Sequence, residues 1–369
     1  MKKIHFWGLS YNDFGGGIGK FVEEVICSLR KNNDVKSVKL FAKHDKYKSY
    51  KGYTIHKTFG GINLIKNICY AFMVSLYSLL ERPTLIFCSH INYSPCALFL
   101  KFFIKIPYVI SVYGVDVDSN ISFLKKISLK NANKIITISR WTKEKLLDQG
   151  LPESKITIIG LTASKEKFNI NPKEVRYYDK FKIKNSCKII LTVSRLDSDE
   201  KYKGYDRIIN CMPEIIKIIP NVHYLLVGCG DDRERIENLI NKKNLNKFVT
   251  LAGYIEDEDL PGVYNFCDIF AMPSSNEGFG IVFIEALLSG IPVLGGNIDG
   301  TRDALDDGNL GLLINPIDEK ALLKSLVMML KNKIPKHQLD PNILRNNCIK
   351  VHSSEKFQRK IRFALSSIK

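Results

Sequence analysis

Two tandem α/β domains, each a parallel sheet covered by helices on both faces, are what this sequence predicts. Three observations carry the expectation. The chain has 369 residues, 45% of them hydrophobic and 25% charged, which is ordinary globular composition and suits two domains. Short β-rich apolar runs alternate with longer amphipathic ones along most of its length. The alternation breaks in a polar, aperiodic stretch over 163–187 and then restarts.

Taken in order, Ile4–Leu9 is a strand-like run, and polar Ser10, Asn12 and Asp13 follow too soon for it to be the core of a secretory signal. Ile18–Leu29 is amphipathic at helical period and Val38–Ala42 is strand-like. Ile62–Leu80 reads as a helix, and its most apolar part, Ile68–Leu80, is shorter than the roughly 20 residues a bilayer-spanning helix needs. A buried helix is therefore expected there. Leu85–Cys88 is strand, Pro95–Ile104 helix, Tyr108–Val112 strand, Phe123–Leu129 helix, Lys134–Ile138 strand, Thr142–Leu147 helix and Lys155–Ile159 strand. After the break come strand Lys188–Ser194, helix Asp206–Ile219, strand Val222–Val227, helix Arg233–Asn241 and strand Phe248–Leu251. Strand Asp268–Met272, helix Ile281–Ser289, strands Pro292–Leu294 and Gly311–Ile314 and helix Ala321–Leu330 complete the pattern. The expected division is an N-terminal domain over 1–168, a linker over 169–187, a second domain over 188–338 and a basic helical tail over 339–369 that crosses back to the first domain. Ligands of such sheets bind beyond the carboxyl ends of the strands, so the cleft between two such domains is the expected site.

Net charge is +17. Residues 1–170 hold 26 Lys and Arg against 12 Asp and Glu, so the excess sits in the first half. Such a field draws in polyanions, an anionic membrane surface or phosphate-bearing substrates. No zinc finger, ribonucleoprotein motif or basic heptad accompanies it, and nucleic acid is not expected as a partner. Nine cysteines, an odd number with no C-x-x-C pair, argue against a disulfide framework or a zinc ribbon and fit a reducing cytoplasm. No metal and no cofactor is expected.

Four segments carry candidate chemistry. Gly15, Gly16 and Gly17 lie between the first strand and the first helix, where backbone N–H groups can face an anion; a tight turn without a ligand is the plainer reading. Phe21 after Lys20 excludes a P-loop. Val227-Gly228-Cys229-Gly230 closes a strand, either as a nucleotide-facing turn or as a structural one. Arg195 ends the strand that opens the second domain, and Lys201 and Lys203 follow it; together they could neutralise a diphosphate or form a solvated loop. The segment 273–287 is the most informative. Glu277 sits in a loop, and Glu285 lies eight residues on, inside an otherwise apolar helix. A carboxylate there needs a partner, either ribose hydroxyls or an ion pair within the protein. Gly278, Phe279 and Gly280 offer N–H groups at that helix's start.

With these pieces in this order, the chain resembles retaining glycosyltransferases of family 4 with the GT-B fold, in which two Rossmann-like doubly wound domains face each other across a cleft. Glu277 and Glu285 resemble the family's E-x7-E pair, Arg195-Leu196 and Lys203-Gly204 its R-L…K-G phosphate clamp, and Gly290-Ile291-Pro292-Val293 also matches. The resemblance implies that Glu277 orients the donor sugar, Glu285 holds the ribose, and Arg195 and Lys203 stabilise the leaving nucleoside diphosphate. It further implies that Gly278, Phe279 and Gly280 give backbone N–H groups, that Gly15–Gly17 face the donor diphosphate, and that Ile255 meets the nucleobase through its backbone. Tyr113 stands where many members carry a histidine, and His90 is an acceptor-side candidate. The spacing from Arg195 to Lys203 is about two residues long for the motif, so Lys201 competes for the lysine's role.

The implied activity is metal-independent hexosyl transfer from a GDP- or UDP-sugar to a hydroxyl of a glycan or lipid-linked oligosaccharide. The implied setting is bacterial surface polysaccharide synthesis (O-antigen, capsule or lipopolysaccharide), in the cytoplasm or at the inner face of its membrane, with peripheral contact to anionic lipid. A nucleotide-sugar epimerase of the same fold and a non-catalytic sugar-nucleotide binding protein stand as alternatives.

Overall fold

The computed structural model describes residues 1–8, 16–43, 49–50, 53–57, 63–117 and 121–368. It divides into two compact units: Met1–Thr162 with Ser354–Lys369, and Ala163–Ser353.

In unit 1, the strands are β1 (Lys2–Gly8), β2 (Val35–Ala42), β3 (Ser49–Tyr50), β4 (Tyr53–Lys57), β5 (Leu85–Cys88), β6 (Tyr108–Val112), β7 (Lys134–Thr137) and β8 (Ile156–Ile158). Among the described residues the sheet order is β3-β4-β2-β1-β5-β6-β7-β8, parallel except for the two-residue β3 at its edge. The helices are α1 (Gly16–Arg30), α2 (Asn63–Glu81), α3 (Ser94–Ile104), α4 (Phe123–Asn131) and α5 (Arg140–Asp148), with α14 (Ser354–Ser366) added from the end of the chain. Because side chains alternate across a strand, Trp7, Ile86, Cys88 and Ile110 share one core with Val74, Leu100, Leu129 and Leu146 of the helices. On α1, the Phe21 ring meets Phe357 of α14 edge-on at 5.6 Å.

Unit 2 holds β9 (Lys188–Val193), β10 (Val222–Val227), β11 (Val249–Gly253), β12 (Ile269–Met272), β13 (Val293–Gly296) and β14 (Leu312–Ile314), all parallel, in the order β11-β10-β9-β12-β13-β14. Its helices are α6 (Arg176–Phe181), α7 (Tyr205–Ile218), α8 (Arg233–Lys242), α9 (Leu260–Phe266), α10 (Ile281–Leu288), α11 (Thr301–Ala304), α12 (Glu319–Leu330) and α13 (Pro341–His352). This is a doubly wound sheet, with its topological switch point between β9 and β12.

Three expectations are corrected. Residues 169–187 are not a linker: they belong to unit 2, where α6 packs the Tyr177 and Phe181 rings at a tilt against Phe266 at 5.6 and 6.0 Å and Asn265 bonds the Asn169 and Asn171 backbone. Their buried aromatics outweigh their polar composition. The tail divides as well: α13 packs on α10 within unit 2, whereas α14 belongs to unit 1. Finally, α2 is buried on one side only, and its other side exposes Ile68, Phe72 and Leu80.

Candidate functional site

The site residues of unit 2 gather at the carboxyl ends of β9 and β12, on either side of the switch point. Beyond β9 the chain runs through Arg195 into a single helical turn, Lys201–Lys203, that opens α7. Beyond β12 it forms the loop 273–280 leading into α10. Two backbone contacts fasten these loops together. The Ser275 N–H donates to the Tyr202 carbonyl at 2.9 Å, and a side chain at Gly204 would meet the Pro273 carbonyl oxygen at 2.5 Å.

The turn Val227-Gly228-Cys229-Gly230 resolves as structural. At Gly228, where φ is +136°, an added Cβ would lie 1.8 Å from the Ser194 carbonyl oxygen. The Leu196 N–H donates to the Cys229 carbonyl at 2.9 Å. The glycine turn thus braces the backbone that carries Arg195.

Within this frame the charges pair. Glu200, mostly buried, forms ion pairs with both Arg195 and Lys203, the latter at 2.6 Å. The two cations differ: the Arg195 side chain is 72% exposed, whereas Lys203 is buried. Lys201 is exposed. Glu277 is half-buried. Burial raises its carboxyl above the ordinary range, the Lys203 ammonium opposes this, the anions Asp299 and Glu200 add to it, and a hydrogen bond from the Phe279 N–H counters it. That N–H, expected to face a diphosphate, here serves Glu277. Burial raises the Tyr202 phenol, and Glu277 and Glu200 push it the same way.

Asp299 was not singled out from the sequence, yet it holds the Glu277 loop. It is 1% exposed and accepts the Glu277 N–H at 2.7 Å, the Ser274 hydroxyl at 2.8 Å and the Thr301 N–H at 2.9 Å. Burial raises its carboxyl, and these donors oppose the rise. The signal for it was Asp299-Gly300-Thr301, an acidic residue two positions ahead of an N–H at a helix start. Gly300 lets the loops close: a Cβ there would sit 2.0 Å from the Gly278 carbonyl oxygen.

Glu285 is 1% exposed, and its Oε2 accepts the Tyr264 hydroxyl at 2.9 Å. A carboxylate is an acceptor-only group, and hydroxyls such as this phenol are the donors that suit it. The phenol of Tyr264 is held well above its usual range by burial and then by Glu285. Gly278, Phe279 and Gly280 lead into α10, which has no acidic residue in its first turn; the Glu277 carboxylate, held on the Phe279 N–H, stands just ahead of the positive end of its dipole. Ile255, 7% exposed, follows β11.

The remaining candidates lie in unit 1. Gly15 falls outside the described residues, while Gly16 and Gly17 open α1. His90 and Tyr113 stand just beyond neighbouring strands β5 and β6. The Tyr113 hydroxyl donates to the Ser89 carbonyl at 2.7 Å with the ring 3% exposed, so it packs the strand ends together. The Nδ1 of His90 accepts the Asn92 N–H at 3.1 Å, which leaves Nε2 as the protonated nitrogen. Burial lowers the His90 pKa and Asp116 raises it. Asp116, a residue the sequence reading passed over, accepts the Tyr113 N–H at 3.3 Å and is raised by burial.

Known proteins match both units. Residues 15–161 match the description Glycosyltransferase Family 4, and residues 176–350 match Glycosyl transferases group 1. The chain is 30% identical over 220 residues to the capsular polysaccharide biosynthesis glycosyltransferase CapM of Staphylococcus aureus, covering 57% of this chain and 55% of CapM. It is 24% identical over 226 residues to a GDP-mannose-dependent alpha-(1-6)-phosphatidylinositol monomannoside mannosyltransferase of Mycolicibacterium smegmatis, covering 58% of each. The chain thus spans between half and three-fifths of the length of these two relatives. The crystal structure of Anabaena Alr3699/HepE in complex with UDP-glucose superposes with a TM-score of 0.80 at 18% identity, covering 100% of both chains. With both units matched and the doubly wound sheets in place, the chain belongs to glycosyltransferase family 4 and has the GT-B fold.

Proposed function

We propose that this protein transfers a hexosyl group, with retention and without a divalent metal, from a GDP- or UDP-sugar to a hydroxyl of a glycan or lipid-linked oligosaccharide. The setting we propose is the cytoplasmic side of a bacterial membrane, during synthesis of surface polysaccharide. One observation carries the reading: a buried lysine, Lys203, and an arginine, Arg195, share the Glu200 carboxylate at the switch point of a doubly wound sheet, and the Lys203 ammonium also acts on Glu277, whose carboxyl burial raises. The capsular and mannosyl-transferring relatives and the UDP-glucose complex support it.

In this reading the anomeric C–O bond breaks as negative charge gathers on the departing diphosphate. Lys203, Arg195 and the α10 N-terminus receive that charge, Lys203 from a buried position and Arg195 from an exposed one. Lys203 rather than Lys201 takes the lysine's part, because only Lys203 is buried beside Glu277. Glu277 accepts a hydrogen bond from a sugar hydroxyl. Glu285 accepts from the ribose while Tyr264 keeps its carboxylate aligned. Ile255 borders the base. The acceptor hydroxyl attacks on the face the diphosphate leaves, and its proton passes to the departing phosphate oxygen. His90 and Asp116 of unit 1 are assigned to the acceptor.

A thermal-shift panel of nucleotide sugars, followed by transfer assays with the stabilising donor, tests the reading. A ligand at 100 times its Kd adds about 2.7 kcal/mol. No shift with any UDP or GDP compound would overturn it.

A further inference from the structure

The helix layer α2–α3–α4 carries apolar side chains on the side facing away from its sheet. On α2, Ile65, Ile68, Phe72, Leu76, Leu79 and Leu80 are between 41% and 74% exposed. At 100° per residue they fall within a sector of about 120° that runs some ~22 Å along the axis. Buried Tyr70, Val74 and Ser78 occupy the opposite side. A helix apolar on both sides needs a cover on both, and the sheet supplies only one.

The stripe is not isolated. The neighbouring α3, packed against α2, exposes Phe99, Phe102 and Phe103 by 50% to 69%, and α4, packed against α3, exposes Phe123 by 80% and Leu124 by 52%. Three adjacent helices thus share one apolar surface, far more than scattered surface hydrophobics would give. Their charges are one-sided. The three helices hold five lysines (Lys66, Lys101, Lys125, Lys126 and Lys130) and one acidic residue, Glu81, with Lys105 just beyond α3; of the lysines, Lys101 is taken up by the Asn131 carbonyl and the Asn133 side chain. That single acid is taken up by Lys39 and His5.

We propose that the outer faces of α2, α3 and α4 seat this protein on an anionic lipid bilayer, with the aromatic and aliphatic stripe sunk into the headgroup region and the lysines against lipid phosphates. Among the described residues no helix is long and apolar enough to cross a membrane, so α2 lies in the interface plane. Charge complementarity selects this occupant: a second copy of the chain would bring the same lysines face to face, whereas anionic headgroups neutralise them. The seat deepens the glycosyltransferase reading, on which its purpose rests, by naming the surface from which a lipid-linked acceptor would be reached.

Flotation with vesicles of phosphatidylcholine alone, or with about a third phosphatidylglycerol, tests the seat without any turnover. The wild-type chain is expected to float with the anionic vesicles and to come off as salt rises. Replacing the exposed rings together, Phe72→Gln with Phe102→Gln and Phe103→Gln, should lower bound protein by at least about tenfold while the melting temperature holds. Lys105→Glu with Lys130→Glu should abolish the preference for anionic lipid. Absence of wild-type protein from both floated fractions, or unchanged binding by the ring variant, would overturn the proposal. So would a light-scattering mass of twice 42.0 kDa that falls to the single value in the ring variant, because a second copy would then cover the face. A failed nucleotide-sugar screen leaves these outcomes readable, so the two readings fail separately.

Discussion

Lys203 and Glu200 form an ion pair at 2.6 Å, and the same carboxylate also holds Arg195. Both cations proposed to receive a diphosphate therefore share one internal anion, which the extended turn between Leu196 and Lys203 supplies. A diphosphate must displace that anion or share its partners. Glu200→Gln removes the competing charge and keeps a polar side chain of the same size. Titration calorimetry is expected to show tighter UDP or GDP binding, by roughly threefold to tenfold, or up to ~1.4 kcal/mol. Weaker binding would mean that Glu200 positions the cations rather than competes for them.

The two cations should not contribute equally. Solvent screens a side chain that is 72% exposed, as Arg195 is, more than it screens buried Lys203. Lys203→Met should lower kcat/KM further than Arg195→Gln does, with each losing at least about tenfold, or ~1.4 kcal/mol. Glu277→Gln belongs with them at a loss of about tenfold or more. Steady-state rates with the donor found by screening decide the order.

Asp299 supports Glu277 through hydrogen bonds and should matter for stability and activity together. Asp299→Ala orphans the N–H groups of Glu277 and Thr301 and leaves the Ser274 hydroxyl only its Thr301 contact, so urea unfolding should show a loss of about 2–4 kcal/mol. Gly300→Ala should do comparable damage, because its methyl carbon would sit 2.0 Å from a backbone oxygen that cannot easily withdraw. A stable, active Gly300→Ala protein would show that the two loops close differently.

Unit 2 should also weaken in mild acid through His223. Burial lowers its pKa to about 4, and its Nε2 lies 2.9 Å from the Thr250 hydroxyl. An unfolded histidine titrates near 6.5, so between these values the unfolded chain binds the extra proton. The stability is complete above about pH 6.5 and is lost as the pH falls toward 4, by about 2 kcal/mol between pH 7 and 5. His223→Gln should flatten that slope for unit 2. His5, also lowered to about 4 by burial, should keep it for unit 1. Melting curves across this range, wild type against variant, measure the difference.

The sequence by itself determined the architecture and most of the polar cast. Alternation of apolar runs depends on a period of two or 3.6, which is local, so the parallel sheets and the stretch from Pro273 to Leu287 were legible before any coordinates. The buried carboxylate of Glu285 could also be anticipated, because an ionisable group in an apolar helix must find a partner; that the partner is Tyr264 could not. Tertiary structure decided whatever depends on residues far apart in the chain meeting. Asp299 reaches Glu277 across 22 positions, Gly228 lies against Ser194, and the aromatics of 169–187 turn a polar stretch into part of a core. It also decided which side of α2 faces the sheet. Hydrophobicity alone marks that helix as buried, and only the arrangement of its neighbours shows that, among the described residues, one side is left exposed.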